Sequence, residues 1–205
     1  MTYRRAVTHL KKADPHLAAV IARVGPCRFR PGLFPTHFEA ILRAIVYQQI
    51  SGKAALTIYG RVQAIYGGRP PTPAELLDTP ESELREAGLS RQKVAYAKDL
   101  AEHVETGELP ADRFDELTDE EIVASLVRVK GIGKWTAQMF LMFQLGRLDV
   151  LPDLDLGIQK GIMLAYGLEA MPRPREVLEI GAKWSPYATI ASWYLWRSLD
   201  GAAEL

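Results

Sequence analysis

At 205 residues and 22.8 kDa the chain has the length of one domain of moderate size or of two tightly joined lobes. With 48% hydrophobic and 24% charged residues it is ordinary for a globular protein, and one cysteine (Cys27) with four scattered histidines excludes a disulfide framework, an iron–sulfur cluster and a dense metal-ligand pattern. Basic and acidic residues both number 25, so any nucleic-acid surface has to be local.

The N-terminus lacks the apolar core of a signal peptide, and no apolar run approaches the ~20 residues of a membrane span. The expectation is a cytoplasmic protein with no membrane partner. The spacing predicts an all-α chain of about ten helices joined by short loops, with no alternation long enough to demand a sheet. A short helical piece precedes a Gly/Pro-rich connector over 25–35. Thr36-His37-Phe38-Glu39 then reads as a capping box opening a helix with Phe38, Ile41, Leu42, Ile45 and Val46 at helical spacing. Gly67-Gly68-Arg69-Pro70-Pro71 marks a turn, and Thr72-Pro73-Ala74-Glu75 repeats the start signal. Thr79-Pro80 and Ser185-Pro186 put proline at a first helical position. Residues 91–104 read as a helix with Val94, Leu100 and Ala101 inward. Thr118-Asp119-Glu120-Glu121 leads into Ile122, Val123, Leu126 and Val127. Residues 134–145 read as a helix with Ala137, Phe140, Leu141 and Leu145 on its inner face.

Between the last two lies Val129-Lys130-Gly131-Ile132-Gly133-Lys134-Trp135-Thr136-Ala137, a glycine hairpin opening a helix. Gly131 and Gly133 permit backbone angles and close approach that a β-carbon would block. The first N–H groups of the following helix suit phosphate oxygens, and Lys130 and Lys134 add positive charge. A tight helix–helix turn without a ligand is the plain alternative. Leu151-Pro152-Asp153-Leu154-Asp155-Leu156-Gly157-Ile158 then places a carboxylate at the head of another helix.

Residues 126–137 resemble the helix-hairpin-helix of the base-excision DNA glycosylase superfamily, closest to the 3-methyladenine DNA glycosylase II (alkylpurine DNA glycosylase) group. The likeness extends to 38–51, with Gln48-Gln49-Ile50-Ser51 at its turn, to Leu84 through Lys93, and to Ser185-Pro186-Tyr187-Ala188 through Trp193-Tyr194. It implies a bilobal helix-hairpin-helix glycosylase fold over 1–205, with a DNA-binding cleft between lobe A, about 37–148, and lobe B, about 1–36 plus 149–205. The implied partner is double-stranded DNA containing a damaged base, and the implied oligomeric state is a monomer.

By that resemblance Asp155 is the catalytic carboxylate, stabilising the positive charge that builds on the sugar as an N-glycosidic bond breaks and orienting water. Asp153 has at most a supporting role, and an N-cap is the plain alternative for Asp155. Relatives that also nick the strand carry a nucleophilic lysine where this chain has Trp135, so Lys134 reads as a phosphate contact and the enzyme as monofunctional. Trp135, Trp193, Met139 and Tyr47 fall at base-pocket positions, suited to stacking on a cationic purine of the 3-methyladenine or 7-methylguanine type. Core packing is expected for Trp184 and Trp196. Thr136, Gln48 and Gln49 join the DNA-binding set, with Gln49 at the wedge position that fills the gap left by an extruded base. The carbonyls of Val127, Val129 and Ile132 form a candidate monovalent-cation (Na+ or K+) site; no other cofactor is expected. Two alternatives stay open: a glycosylase for a deaminated or mismatched base, and a non-catalytic DNA-binding member.

Overall fold

The computed structural model describes residues 3–200; the outermost residues of the expected 1–205 domain lie outside that range. It contains no strand among the described residues. The chain forms two compact units, residues 1–31 with 141–205 and residues 32–140. The sequence places the divisions near 36 and 148. In the structure the second one falls inside a helix, Lys134–Phe143, whose apolar face runs on through Leu141 and Met142, both buried.

The first unit holds α1 (Arg4–Ala13), α2 (Pro15–Val24), α10 (Leu156–Tyr166), α11 (Pro174–Gly181) and α12 (Ala188–Leu199), with a 3-10 turn at Ala182–Trp184. Leu10, Leu17, Ile158, Ile162, Tyr194 and Leu195 close its core. At the head of α2 sits Asp14, fully buried and saturated with donors. Its Oδ1 accepts the N–H groups of His16 and Leu17, and its Oδ2 accepts the Tyr166 hydroxyl and the Trp184 indole N–H, the latter at 2.7 Å. Burial pushes this carboxyl up, but the hydrogen bonds and the Lys183 ammonium together hold it below the ordinary range. Its stabilisation is therefore present above the unfolded carboxylate pKa and is lost as the pH falls through the lower folded value.

The second unit holds α3 (His37–Tyr47), α4 (Gly52–Ile65), α5 (Pro73–Asp78), α6 (Glu81–Glu86), α7 (Arg91–Glu105), a 3-10 helix (Ala111–Glu116), α8 (Asp119–Leu126) and the start of α9 (Lys134–Phe143). Local rules account for most of its helix starts. Thr72 with Glu75 and Thr118 with Glu121 form complete capping boxes. At α3 only half of the expected box forms: the Thr36 hydroxyl accepts the Glu39 N–H at 3.1 Å, while the buried Glu39 carboxylate turns to the Tyr59 hydroxyl.

Three sequence expectations are corrected. Pro80 is the N-cap of α6, not its first helical residue, and Pro186 lies before α12, whose N-cap is Tyr187. The helix expected to reach Leu145 stops at Phe143, three residues ahead of Gly146, which takes a left-handed φ of 69°. Gly133 has no need of glycine for the chain's own sake, as the hairpin geometry shows.

Candidate functional site

The hairpin between α8 and α9 is built by a chain of short-range bonds. Val129 N–H donates to the Leu126 carbonyl and Ile132 N–H to the Val129 carbonyl, both at 3.1 Å, and Ala137 N–H to the Gly133 carbonyl at 3.0 Å. Buried Val129 and Ile132 root the loop in the core. Gly131 has φ 82°, and a β-carbon there would sit 2.1 Å from the Tyr96 ring. Gly133 lies outside the left-handed region, and its β-carbon would meet nothing within 4 Å. The first glycine thus serves the fold, and the second leaves the outer face of the hairpin bare.

Two long-range clamps hold the loop. Gln48 Nε2 donates to the Gly131 carbonyl at 2.9 Å. From α7, the buried Asp99 carboxylate accepts the Lys130 backbone N–H at 2.8 Å and faces the Lys130 ammonium at 2.7 Å. Burial raises the Asp99 carboxyl, yet Lys130, through side chain and backbone, and His103 outweigh it and hold it low. Lys130 therefore brings its charge to the hairpin already paired.

Beside the hairpin is a cavity of ≈ 870 Å³, within the span of small-molecule sites. Tyr47, Gln48 and Gln49 at the end of α3, Gly131 of the hairpin, and Trp135, Thr136 and Met139 of α9 all line it. Trp135 is 44% exposed, far more than a core tryptophan. One face of Tyr47 is covered by the Arg43 guanidinium, 4.1 Å from the ring centroid. Gln49 is exposed and takes φ 57°, the only non-glycine in the left-handed region among the described residues. That conformation costs about 1–2 kcal/mol.

Sequence reasoning missed the contribution of α7 to this cavity. Ser90, Gln92, Lys93 and Tyr96 line it too, and Tyr96 adds a third aromatic ring to Tyr47 and Trp135. Several of its polar groups are engaged inside the protein: the Gln92 amide with the Tyr96 hydroxyl, the Lys93 ammonium with the Val46 carbonyl, and Gln48 with Gly131.

Asp155 and Trp193 belong to the first unit. Asp155 is the N-cap of α10, partly exposed, with Oδ1 accepting the Ile158 N–H at 2.8 Å and the Trp196 indole N–H at 2.9 Å. Asp153, by contrast, is only 5% exposed. Exposed Leu154 and Leu156 flank Asp155 with apolar surface. Trp193 is partly buried against the unit's core and meets Tyr194 edge-on. Trp184 is fully buried, as expected, and Trp196 packs half-buried against the same core, with its indole N–H turned to Asp155. The neutral total also conceals a segregation of charge. Arg4, Arg5, Lys11, Lys12, Arg23, Arg28 and Arg30 are all exposed, and the acid in that stretch, Asp14, is buried.

Comparison with known proteins matches residues 42–186 to the family described as HhH-GPD superfamily base excision DNA repair protein. The alkylbase DNA glycosidase-like protein mag2 of Schizosaccharomyces pombe is 32% identical over 95% of this chain and 93% of its own. The Schizosaccharomyces pombe 3-methyladenine DNA glycosylase Mag1, solved in complex with abasic DNA, superposes with a TM-score of 0.83 at 33% identity, covering 96% of this chain and 97% of that one. A DNA-3-methyladenine glycosidase from Bacillus halodurans gives 0.86 at 37% identity, covering 96% and 89%. A hairpin clamped by its neighbours, an acid capping the helix that follows, and a match through both place the chain by sequence and by fold: it belongs to the HhH-GPD superfamily of base excision DNA repair proteins.

Proposed function

We propose that this chain is a DNA glycosylase that hydrolyses the N-glycosidic bond of alkylated purines in duplex DNA. The observation that carries the reading is Asp155, a carboxylate fixed at a helix N-terminus by two donors and bordered by exposed apolar side chains. A carboxylate held this way opposes the positive charge that develops on the sugar as the bond breaks, and in a poorly hydrated setting its effect grows. It also suits the orientation of the attacking water.

The substrate class follows from leaving-group chemistry. A purine alkylated at N3 or N7 carries positive charge and departs without a general acid, so binding asks for aromatic faces more than for a hydrogen-bond code. Trp135, Tyr47 and Tyr96 supply such faces around the cavity, while several of its polar groups are already engaged. In its relatives, the names 3-methyladenine DNA glycosylase and alkylbase glycosidase-like protein point the same way. A deaminated or mismatched base leaves as a neutral group and asks for free edge-reading donors.

With Trp135 in place of a nucleophilic lysine, the reaction ends at an intact abasic strand. The hairpin N–H groups and Lys134 grip phosphate, and exposed Gln49 fills the space of the extruded base. Carbonyl oxygens suit a hard monovalent cation. Those of Val127, Val129 and Ile132 would hold Na+ or K+, which would supply positive charge facing phosphate. The Val129 carbonyl already accepts one N–H and keeps a second lone pair for the ion. Replacing K+ by tetramethylammonium at constant ionic strength is expected to weaken duplex binding several-fold, read by fluorescence anisotropy; equal affinity in both salts removes the cation from the account. Base release from methylated duplex, set against uracil-containing and mismatched duplexes, tests the substrate class. Release from the methylated duplex alone is expected.

A further inference from the structure

Trp196 has no counterpart among the residues that sequence assigned to the site, yet it touches the one residue on which the chemistry depends. Its indole Nε1–H donates to Asp155 Oδ1 at 2.9 Å, the same oxygen that caps Ile158 N–H at 2.8 Å. An aspartate that serves only as an N-cap needs the second bond and not the first. An indole N–H is a donor with no alternative role, so its direction is set by where the ring is held. The ring is held by stacking on Phe143, with centroids 5.8 Å apart and planes 28° from parallel.

The glycines of α10 are placed to allow this contact. A β-carbon on Gly157 would lie 2.9 Å from Asp155 Oδ1, 3.0 Å from Trp196 Cδ1 and 3.1 Å from its Nε1. Any side chain there would wedge between the acid and the indole. One turn later, a β-carbon on Gly161 would lie 3.0 Å from Leu195 Cβ. The two glycines, four residues apart, share one face of α10 and let α12 approach closely enough to deliver its indole to the carboxylate. Neither glycine takes a left-handed φ, so conformational freedom does not explain them.

We propose that Trp196 is a positioning residue for base release: it pins the Asp155 carboxylate, and Gly157 is the gap through which it does so. The proposal rests on Asp155 being the catalytic acid. The carboxylate is fixed from two directions before DNA arrives. Displacing a charge-stabilising group by about 1 Å costs about a hundredfold in rate. A drop of about tenfold or more is therefore expected when the indole N–H is removed.

Trp196→Phe keeps an aromatic ring against Phe143 and deletes the N–H. Its single-turnover rate of methylpurine release is expected to fall by about tenfold or more, with unchanged affinity for an abasic-site duplex. Gly157→Ala, whose β-carbon would press on both the Asp155 carboxylate and the indole and disturb the bond between them, is expected to do the same. In an Asp155→Asn background Trp196→Phe is expected to cost nothing further, because it acts through that carboxylate. Independently of activity, the Trp196 indole proton in a ¹H–¹⁵N spectrum is expected to move upfield in Asp155→Ala. Wild-type release by Trp196→Phe, an equal loss in both backgrounds, or an indole proton indifferent to Asp155→Ala would each overturn the proposal. If Asp155→Asn is itself fully active, the catalytic reading falls and the proposal with it. An inactive Asp155→Asn beside a fully active Trp196→Phe sinks the proposal alone.

Discussion

Asp155→Asn is expected to lower the single-turnover rate of methylpurine release by about 10²–10³ while leaving duplex affinity and thermal stability near wild type. The asparagine keeps an Oδ1 acceptor for the Ile158 N–H and the Trp196 indole, so the start of α10 and its packing on α12 survive. The negative charge is lost, and the second carboxylate oxygen becomes an amide donor. A rate loss with intact binding marks an interaction made in the transition state, whereas a loss confined to affinity would mark Asp155 as part of the DNA grip. Asp153→Asn provides the contrast. Its side chain is nearly inaccessible, and any effect should appear first in stability.

The second large effect is expected at the hairpin, where two glycines two residues apart should respond in opposite ways. Gly131→Ala forces a β-carbon onto the Tyr96 ring in a left-handed backbone. The left-handed conformation costs about 1–2 kcal/mol and the overpacking about 1–3 more, for a fall in Tm on the order of 5–15 °C. Gly133→Ala meets no protein atom and should leave Tm unchanged. If that open face receives a phosphate, it should nonetheless weaken duplex binding by about tenfold. Differential scanning fluorimetry and anisotropy on the same preparations read both. A Gly133→Ala variant that binds DNA as wild type does would move the phosphate grip elsewhere.

What the sequence made legible was local. Capping boxes at Thr72 and Thr118 and the apolar spacing of α3, α7, α8 and α9 depend on residues within one or two turns of each other. Glu39 satisfied the same rule on paper, but Tyr59, twenty residues on, took its carboxylate. The candidate site was legible where the chain is continuous, through the hairpin and the acid that follows it. It was opaque where the chain folds back. Gln48 reaches Gly131 across 83 residues, and Trp196 reaches Asp155 across 41. Tyr96, on the far side of α8 from the hairpin in sequence, is the reason Gly131 must be glycine.

Charge shows the same limit. A balance of 25 against 25 required any nucleic-acid surface to be local without saying where, and the exposed charges of residues 3–31 are all basic. A sum over the chain says nothing about segregation, and DNA responds to the local field.

The most direct test of the account is to incubate the protein with N-methylated duplex DNA, identify the released bases by chromatography, and probe the strand for breaks before and after alkali. Free 3-methyladenine and 7-methylguanine, with breaks appearing only after alkali, are the predicted result. Tight duplex binding with no released base, or breaks already present before alkali, would contradict a hydrolytic alkylpurine glycosylase.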